Sequence, residues 1–452
     1  MPPAPTAGKR VVRIRKPARD EAMPHKQTKN TPGGALPPDS MGYSLLLGAR
    51  VLGAVFGGKS LNEALSALAG EMPVARAAAQ DIAYGVLRRY GWGEFILERL
   101  MVKPLSHGET QALLLAALYR LDTRPESAPM VVDQAVAASG ELTGGALKGV
   151  VNGVLRSFLR RRESLLQALA KDDVAHYQHP SWWLARLRRG YPERWQEVVA
   201  AANQPPPMTL RVNRRCVSVE DYLARLVSAG ITAQAFGQAG LILDKPVGVD
   251  LLPGFADGCV SVQDAGAQRA AELLDPAPGS SVLDACAAPG GKTAHLLERA
   301  DLDLLALDID GTRTGRIEEN LRRLRLSAEI RVADCLDVRR WWDGKPFDAI
   351  LADVPCSASG VARRHPDIKV LRRESDIRRL VHTQAAILDT LWSALKPGGK
   401  LLYATCSVFV EENSAQVDAF LVRRPDAQRV LDEQWLPQDC HDGFYYALLQ
   451  KN

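Results

Sequence analysis

The chain has 452 residues, 46% apolar and 24% charged, a balance that excludes a largely disordered protein. Fifty-seven Lys+Arg against 52 Asp+Glu leave a net charge of +5, which permits an anionic partner without demanding one. No stretch approaches the ~20 uninterrupted apolar residues of a membrane span, and at roughly 150 residues per domain the length predicts about three domains.

Residues 1–40 carry eight prolines and eight Lys/Arg with no apolar core, so they read as a flexible basic tail rather than a secretory signal. Residues 41–172 are helical in pattern. Apolar positions recur at three- and four-residue spacing over Tyr43–Phe56, Leu61–Leu68, Ala75–Leu100, Glu109–Leu121, Met130–Ser139 and Leu147–Leu169. The expectation is an all-α bundle. Residues 173–260 open with His179-Pro-Ser-Trp182-Trp183 and predict strands over Met208–Val212 and Ile231–Leu243 around a helix, Val219–Ala229. This reads as a small α+β connector.

From residue 261 strands and helices alternate. Candidate strands are Ser281–Cys286, Asp303–Leu307, Glu329–Ala333, Phe347–Ala352 and Lys400–Thr405, the last entered by the turn Pro397-Gly-Gly399. Such alternation predicts a mostly parallel, Rossmann-like α/β sheet for residues 261–452.

The first of these strands runs into Asp284-Ala-Cys286-Ala287-Ala288-Pro289-Gly290-Gly291-Lys292-Thr293. Small residues let the backbone approach a ligand, and the following helix N-terminus favours negative charge. A P-loop would need glycine where Cys286 stands, and a dinucleotide fingerprint would need G-x-G-x-x-G; both are absent. A pocket for the amino acid part of a nucleoside sulfonium remains. Asp308 ends the second strand, Asp334 follows the third and Asp353 ends the fourth. Carboxylates at successive C-terminal strand ends face the crevice of such sheets. Asp308 is placed to accept ribose hydroxyls and Asp334 to meet the adenine edge. The set points to S-adenosylmethionine.

Seven cysteines occur, with no CxxC or CxxH, so no metal site is expected and a reducing cytoplasm is. Each alone reads as a small buried hydrophobe. Two differ in position. Cys356, in Asp353-Val-Pro-Cys-Ser357, follows the fourth strand, and Cys406, in Ala404-Thr-Cys-Ser407, follows the fifth. A thiolate beside a methyl donor suits methylation at carbon 5 of a pyrimidine. Thiolate addition to C6 makes C5 nucleophilic, splitting one hard step into two. Asp353 is placed to hydrogen-bond the base at N3/N4 and stabilise the charge shift. The residues alone do not say which cysteine attacks.

The motifs at Asp284–Thr293, Asp353–Ser357, Gly360–Asp367 and Ala404–Ser407 with Glu411-Glu-Asn413 resemble those of the NOP/Sun family of RNA cytosine-5 methyltransferases. Leu210–Asn213 and Val262–Asp264 are similar to segments ahead of the cofactor loop in that family. The helical part, with Val151–Arg156, resembles a NusB-like RNA-binding domain, a pairing found in the bacterial RsmB (Sun/Fmu) branch. The resemblance covers nearly everything from residue 41 onward. It implies S-adenosylmethionine as cofactor and 16S rRNA as substrate. It also implies Cys406 as nucleophile, Cys356 as an aid to adduct breakdown, and Cys286–Lys292 with Asp308, Asp334 and Asp353 as the cofactor site. Two other readings stand beside it: a tRNA cytosine-5 methyltransferase with the same catalytic half, and a non-catalytic NusB-like RNA-binding factor, against which the two cysteines speak.

For the RNA, residues 355–380 hold seven Lys/Arg against three acids, and Arg363, Arg364, His365 and Lys369 are the expected contacts. Arg160–Arg162 and Arg186, Arg188 and Arg189 add basic patches, and Trp182, Trp183, Trp341 and Trp342 are candidates for base stacking. The target cytosine must leave its stack to reach a thiolate. A monomer is expected, without membrane or metal partners.

Overall fold

The computed structural model describes residues 36–103, 105 and 107–452; the expected basic tail lies, up to residue 35, outside the described residues. The chain divides into two compact units: the segment up to Trp183 with Lys369–Leu371, and Leu184–Ile368 with Arg372–Asn452.

The first unit is helical, with α1 (Met41–Phe56), α2 (Leu61–Ser66), α3 (Pro73–Arg88), α4 (Tyr90–Leu100), α5 (Gly108–Thr123), α6 (Ala128–Thr143), α7 (Lys148–Leu169) and α8 (Asp173–Tyr177). Ser40 and Ser60 cap the first two helices, accepting the Tyr43 N–H at 3.1 Å and the Glu63 N–H at 3.2 Å. Residues Ala112–Leu118 of α5 are buried without interruption, so this helix lies at the centre and packs on α1, α3 and α6. The single helix expected over Ala75–Leu100 is two, broken at Arg89. The break sets Gly91 against α8, where a Cβ would fall 2.5 Å from the Val174 carbonyl oxygen.

The second unit carries two sheets. The connector sheet has β1 (Met208–Val212), β2 (Ala233–Phe236), β3 (Gly240–Leu243) and β4 (Val260–Val262), all antiparallel in the order β2-β3-β1-β4, with α11 (Val219–Ser228) beside it after α9 (Ser181–Gly190) and α10 (Trp195–Asn203). The sheet thus reaches two residues beyond the expected boundary at 260. It shares one unit with the larger sheet rather than standing alone. Arg211 on β1 explains part of this. It is 1% exposed and pairs with Glu298 at 2.7 Å, while its second branch donates to the Gly291 carbonyl at 2.7 Å.

The larger sheet has seven strands: β5 (Ser281–Asp284), β6 (Asp303–Asp308), β7 (Glu329–Val332), β8 (Phe347–Asp353), β9 (Leu395–Thr405), β10 (Ala427–Trp435) and β11 (Phe444–Lys451). Their order is β10-β11-β9-β8-β5-β6-β7, and β11 runs antiparallel to both of its neighbours. The five expected strands form the parallel part. Strand β9 starts earlier than expected, at Leu395, and Pro397-Gly-Gly399 lies within it beside an irregularity in the β8–β9 register. Side chains alternate across the sheet. Leu283, Ile350, Leu401 and Tyr403 enter one core, and Val282, Leu351, Leu402 and Ala404 the other. Helices α12 (Ala265–Leu274), α13 (Gly291–Arg299), α14 (Gly311–Leu324), α16 (Glu374–Ala394) and α17 (Ser414–Arg423) accompany it, and the short α15 (Ile368–Leu371) contributes Lys369–Leu371 to the first unit. Among the described residues no helix is long and apolar enough to cross a membrane.

Candidate active site

The C-terminal ends of β5, β6, β8 and β9 adjoin, and register places Asp353 beside Ala404, two residues before Cys406. The loop after β5 is lashed to its neighbours. The Ala287 N–H donates to the Leu307 carbonyl at 2.8 Å, and the Ala288 N–H to the Asp308 carboxylate at 3.0 Å. Arg313 donates to the Ala288 carbonyl at 2.7 Å and Asn320 to the Pro289 carbonyl at 3.0 Å. Gly290 sits at φ 92°, and a Cβ there would fall 3.1 Å from Ile317 Cα, so glycine is required by both backbone and space.

Asp308 is buried and also accepts the Asp310 N–H at 3.1 Å. It therefore orders the loop as well as offering its remaining acceptor positions. Asp334 is half-buried in a turn, with the Leu336 N–H on one oxygen at 2.9 Å. No side chain caps α13. Its first-turn N–H groups, which an α-helix leaves without internal partners, suit a carboxylate. Two strand-end carboxylates for hydroxyl and amine donors, and this helix end for an amino acid carboxylate, fit S-adenosylmethionine.

Lys292 and Asp353 form an ion pair at 2.5 Å. Burial works against the ammonium, but the Asp353 carboxylate outweighs it and holds the Lys292 pKa above its ordinary value. Asp284 is fully buried and accepts the Thr293 hydroxyl at 2.6 Å; burial pushes its pKa up to about 7. Cys286 hydrogen-bonds Cys335, and that bond together with burial keeps Cys286 a thiol.

The two cysteines singled out in the sequence meet. Cys356 Sγ and Cys406 Sγ are 3.4 Å apart. Cys356 is buried and Cys406 is half-buried. The hydrogen bond with Cys406, burial and the Glu412 charge push the Cys356 pKa well up. Arg372 donates to the Ser357 carbonyl at 3.2 Å, bracing the loop that carries Cys356.

Two of the four expected RNA contacts, Arg363 and Lys369, are corrected. Arg363 is 2% exposed and paired with Asp442, which is itself fully buried. Arg364 bonds Asp442, Asp264 at 2.7 Å and the Pro207 carbonyl at 3.0 Å. His365 is half-buried, and burial lowers its pKa, favouring the neutral ring. Lys369 is 4% exposed and donates to the Arg88 carbonyl at 2.8 Å; burial lowers its pKa to about 7. Arg363 and Lys369 are too buried to meet a phosphate, Arg364 and His365 are half-buried, and Arg373, Arg378 and Arg379 are exposed. Trp183 and Trp341 are core residues at 1% exposure, which removes them as stacking platforms.

Three family models match the chain. Residues 271–450 match the 16S rRNA methyltransferase RsmB/F model, 179–250 a ferredoxin-like domain of RsmF/B-like methyltransferases, and 49–160 the NusB family. The ribosomal RNA small subunit methyltransferase B of Vibrio cholerae is 46% identical over 87% of this chain and 94% of its own length. The protein of that name in Pseudomonas putida is 45% identical over 90% and 98%. The chain belongs to the RsmB/F family of 16S rRNA methyltransferases.

A solved methyltransferase homologue from Pyrococcus horikoshii agrees in fold, with a TM-score of 0.56 at 27% identity, covering 62% of this chain and 98% of that one. The RsmB/F chain is an S-adenosylmethionine-dependent methyltransferase. Three residues of its site region escaped the sequence reading: Arg313 and Asn320, which hold the loop after β5, and Asp442, which holds Arg364 together with Asp264. The charge of Arg313 and the amide of Asn320 were visible in the sequence, but nothing local tied them to a loop more than twenty residues earlier.

Proposed function

We propose that this RsmB/F enzyme methylates carbon 5 of a cytosine in 16S rRNA through a covalent cysteine–C6 adduct. The observation that carries this reading is the contact between Cys356 and Cys406, 3.4 Å sulfur to sulfur, at adjoining strand ends beside the Lys292–Asp353 pair. The NusB-like and RsmB/F matches, and relatives named for small-subunit rRNA, support the substrate class.

Cys406 is the nucleophile, being half-buried where Cys356 is buried and so the more accessible of the two sulfurs. Its thiolate adds to C6, and the electron pair moves to C5. Bound S-adenosylmethionine supplies an electrophilic methyl group, held by Cys286, Ala287, Ala288, Pro289, Gly290, Gly291 and Lys292 with Asp308, Asp334 and Asp353. Asp353 accepts a hydrogen bond from the N4 amino group of the base, and the Lys292 ammonium beside it steadies the charge moving through the ring. C5 takes the methyl group and the demethylated cofactor is left as its neutral thioether; the C5 proton then passes to water, the C5–C6 double bond re-forms, and the C6–S bond breaks with its electron pair returning to the Cys406 sulfur. Cys356, held as a thiol, gives a hydrogen bond to the departing Cys406 thiolate and so speeds release.

The test uses recombinant enzyme, labelled S-adenosylmethionine and two RNAs, unmethylated 16S rRNA and bulk tRNA. Label should enter 16S rRNA at C5 of a cytosine. Label confined to tRNA, or to another atom of the base, contradicts the proposal.

A further inference from the structure

Glu412 is fully buried, and so far it has entered only as a charge that helps keep Cys356 a thiol. A buried carboxylate is costly unless its acceptor positions are filled. Here donors surround it. One oxygen accepts the Ser357 N–H at 2.8 Å and the Gln384 amide at 3.1 Å. The other accepts the Ser357 hydroxyl at 2.5 Å and the Ser407 hydroxyl at 2.6 Å. Ser357 follows Cys356 in sequence, and Ser407 follows Cys406.

The clamp extends around this carboxylate. Ser359 lies 3.0 Å from each of the Ser357 and Ser407 hydroxyls and accepts the Val408 N–H at 2.9 Å. Gln384 also donates to the Pro355 carbonyl at 3.0 Å, the residue before Cys356. The Tyr403 hydroxyl donates to the Glu412 carbonyl at 2.7 Å and fixes the backbone that presents the carboxylate. The Gly360 N–H joins the Cys406 carbonyl at 2.9 Å, tying the two loops a second time.

We propose that Glu412 is the positioning residue of the active site: by binding Ser357 and Ser407 with one carboxylate it holds Cys356 and Cys406 at contact distance. This rests on the cysteine roles given above. Glutamine cannot replace it. The Ser357 N–H and the Gln384 amide are obligate donors, so a glutamine amide must turn towards the two hydroxyls. Both hydroxyls must then reverse, and the ring of serines loses its shared acceptor.

The full-length protein with Glu412→Gln is compared with Ser407→Ala and with the double variant. On 16S rRNA, kcat should fall on the order of 100-fold in Glu412→Gln, the cost of a misplacement of about 1 Å, with the KM for S-adenosylmethionine unchanged. Phenylarsine oxide, which bridges only thiols in contact, should link Cys356 to Cys406 in the native protein and not in the variant, as mapped by mass spectrometry. Ser407→Ala added to Glu412→Gln should cost little more, because both act through one network. Native kcat in Glu412→Gln, unchanged bridging, or additive losses would overturn the proposal. If Glu412→Gln does not fold, Ser407→Ala alone decides: reduced kcat and bridging support the clamp, and native values refute it. The bridging readout needs no catalysis, so it judges the clamp even if an active Cys406→Ala protein were to refute the nucleophile assignment.

Discussion

Two thiols in contact need different protonation states to do different work. The Cys356 sulfur is the more buried, and its hydrogen bond with Cys406, its burial and the Glu412 charge all keep the proton on it. Burial likewise reassigns Arg363, whose type and place beside the catalytic loop suggested a phosphate contact. Its partner Asp442 lies 79 residues away and was not visible locally. Breaking a buried pair by removing one member costs about 3–5 kcal/mol, because the other charge is left uncompensated. Arg363→Ala should therefore lower the urea midpoint sharply. Arg378 and Arg379 are exposed. Replacing both with alanine should leave stability nearly unchanged and make the plot of log K for 16S rRNA against log salt less steep, by about one unit for each phosphate no longer neutralised. A steeper or unchanged slope would exclude them from the RNA surface.

At the scale of elements, the turn from β5 to α13 combines two strains. Gly290 holds a left-handed φ of 92°, and the approach to Ile317 leaves no room for a methyl group. Gly290→Ala should cost about 1–2 kcal/mol from the backbone alone and weaken S-adenosylmethionine binding further, as calorimetry would show. Asp284 beneath the turn makes a pH prediction. Its ordinary pKa is 3.8, and burial pushes it up to about 7 in the fold. Between those values the folded chain holds a proton that the unfolded chain has released. Stability therefore falls as pH rises through that window. Asp284→Asn does not titrate, so its urea midpoint should gain on the native one between about pH 4 and about pH 7; the opposite trend contradicts the assignment.

For the whole molecule, legibility in the sequence followed the range of the forces involved. The six periodic segments became helices α1–α7, one of them split at Arg89, because helical burial is a local pattern. Five strands and the order of strand-end acids were legible for the same reason. The β10–β11 hairpin was not. Arg429, Asp432 and Glu433 break the apolar alternation of β10, and β11 was not among the five expected strands. The shared unit of connector and large sheet rests on long-range ties such as Arg211–Glu298, 87 residues apart, which no local window contains. Cys356 and Cys406 were legible as a pair of strand ends, while their 3.4 Å contact and the Glu412 clamp required the fold.

Cys406 attacking and Cys356 assisting release is the division of labour proposed for these cysteines. Its most direct measurement incubates Cys356→Ala and Cys406→Ala proteins with 16S rRNA and S-adenosylmethionine, then separates them on a denaturing gel. Cys356→Ala should accumulate a denaturant-resistant protein–RNA adduct, and Cys406→Ala should form none and be inactive. An adduct that forms in Cys406→Ala and not in Cys356→Ala would contradict the account.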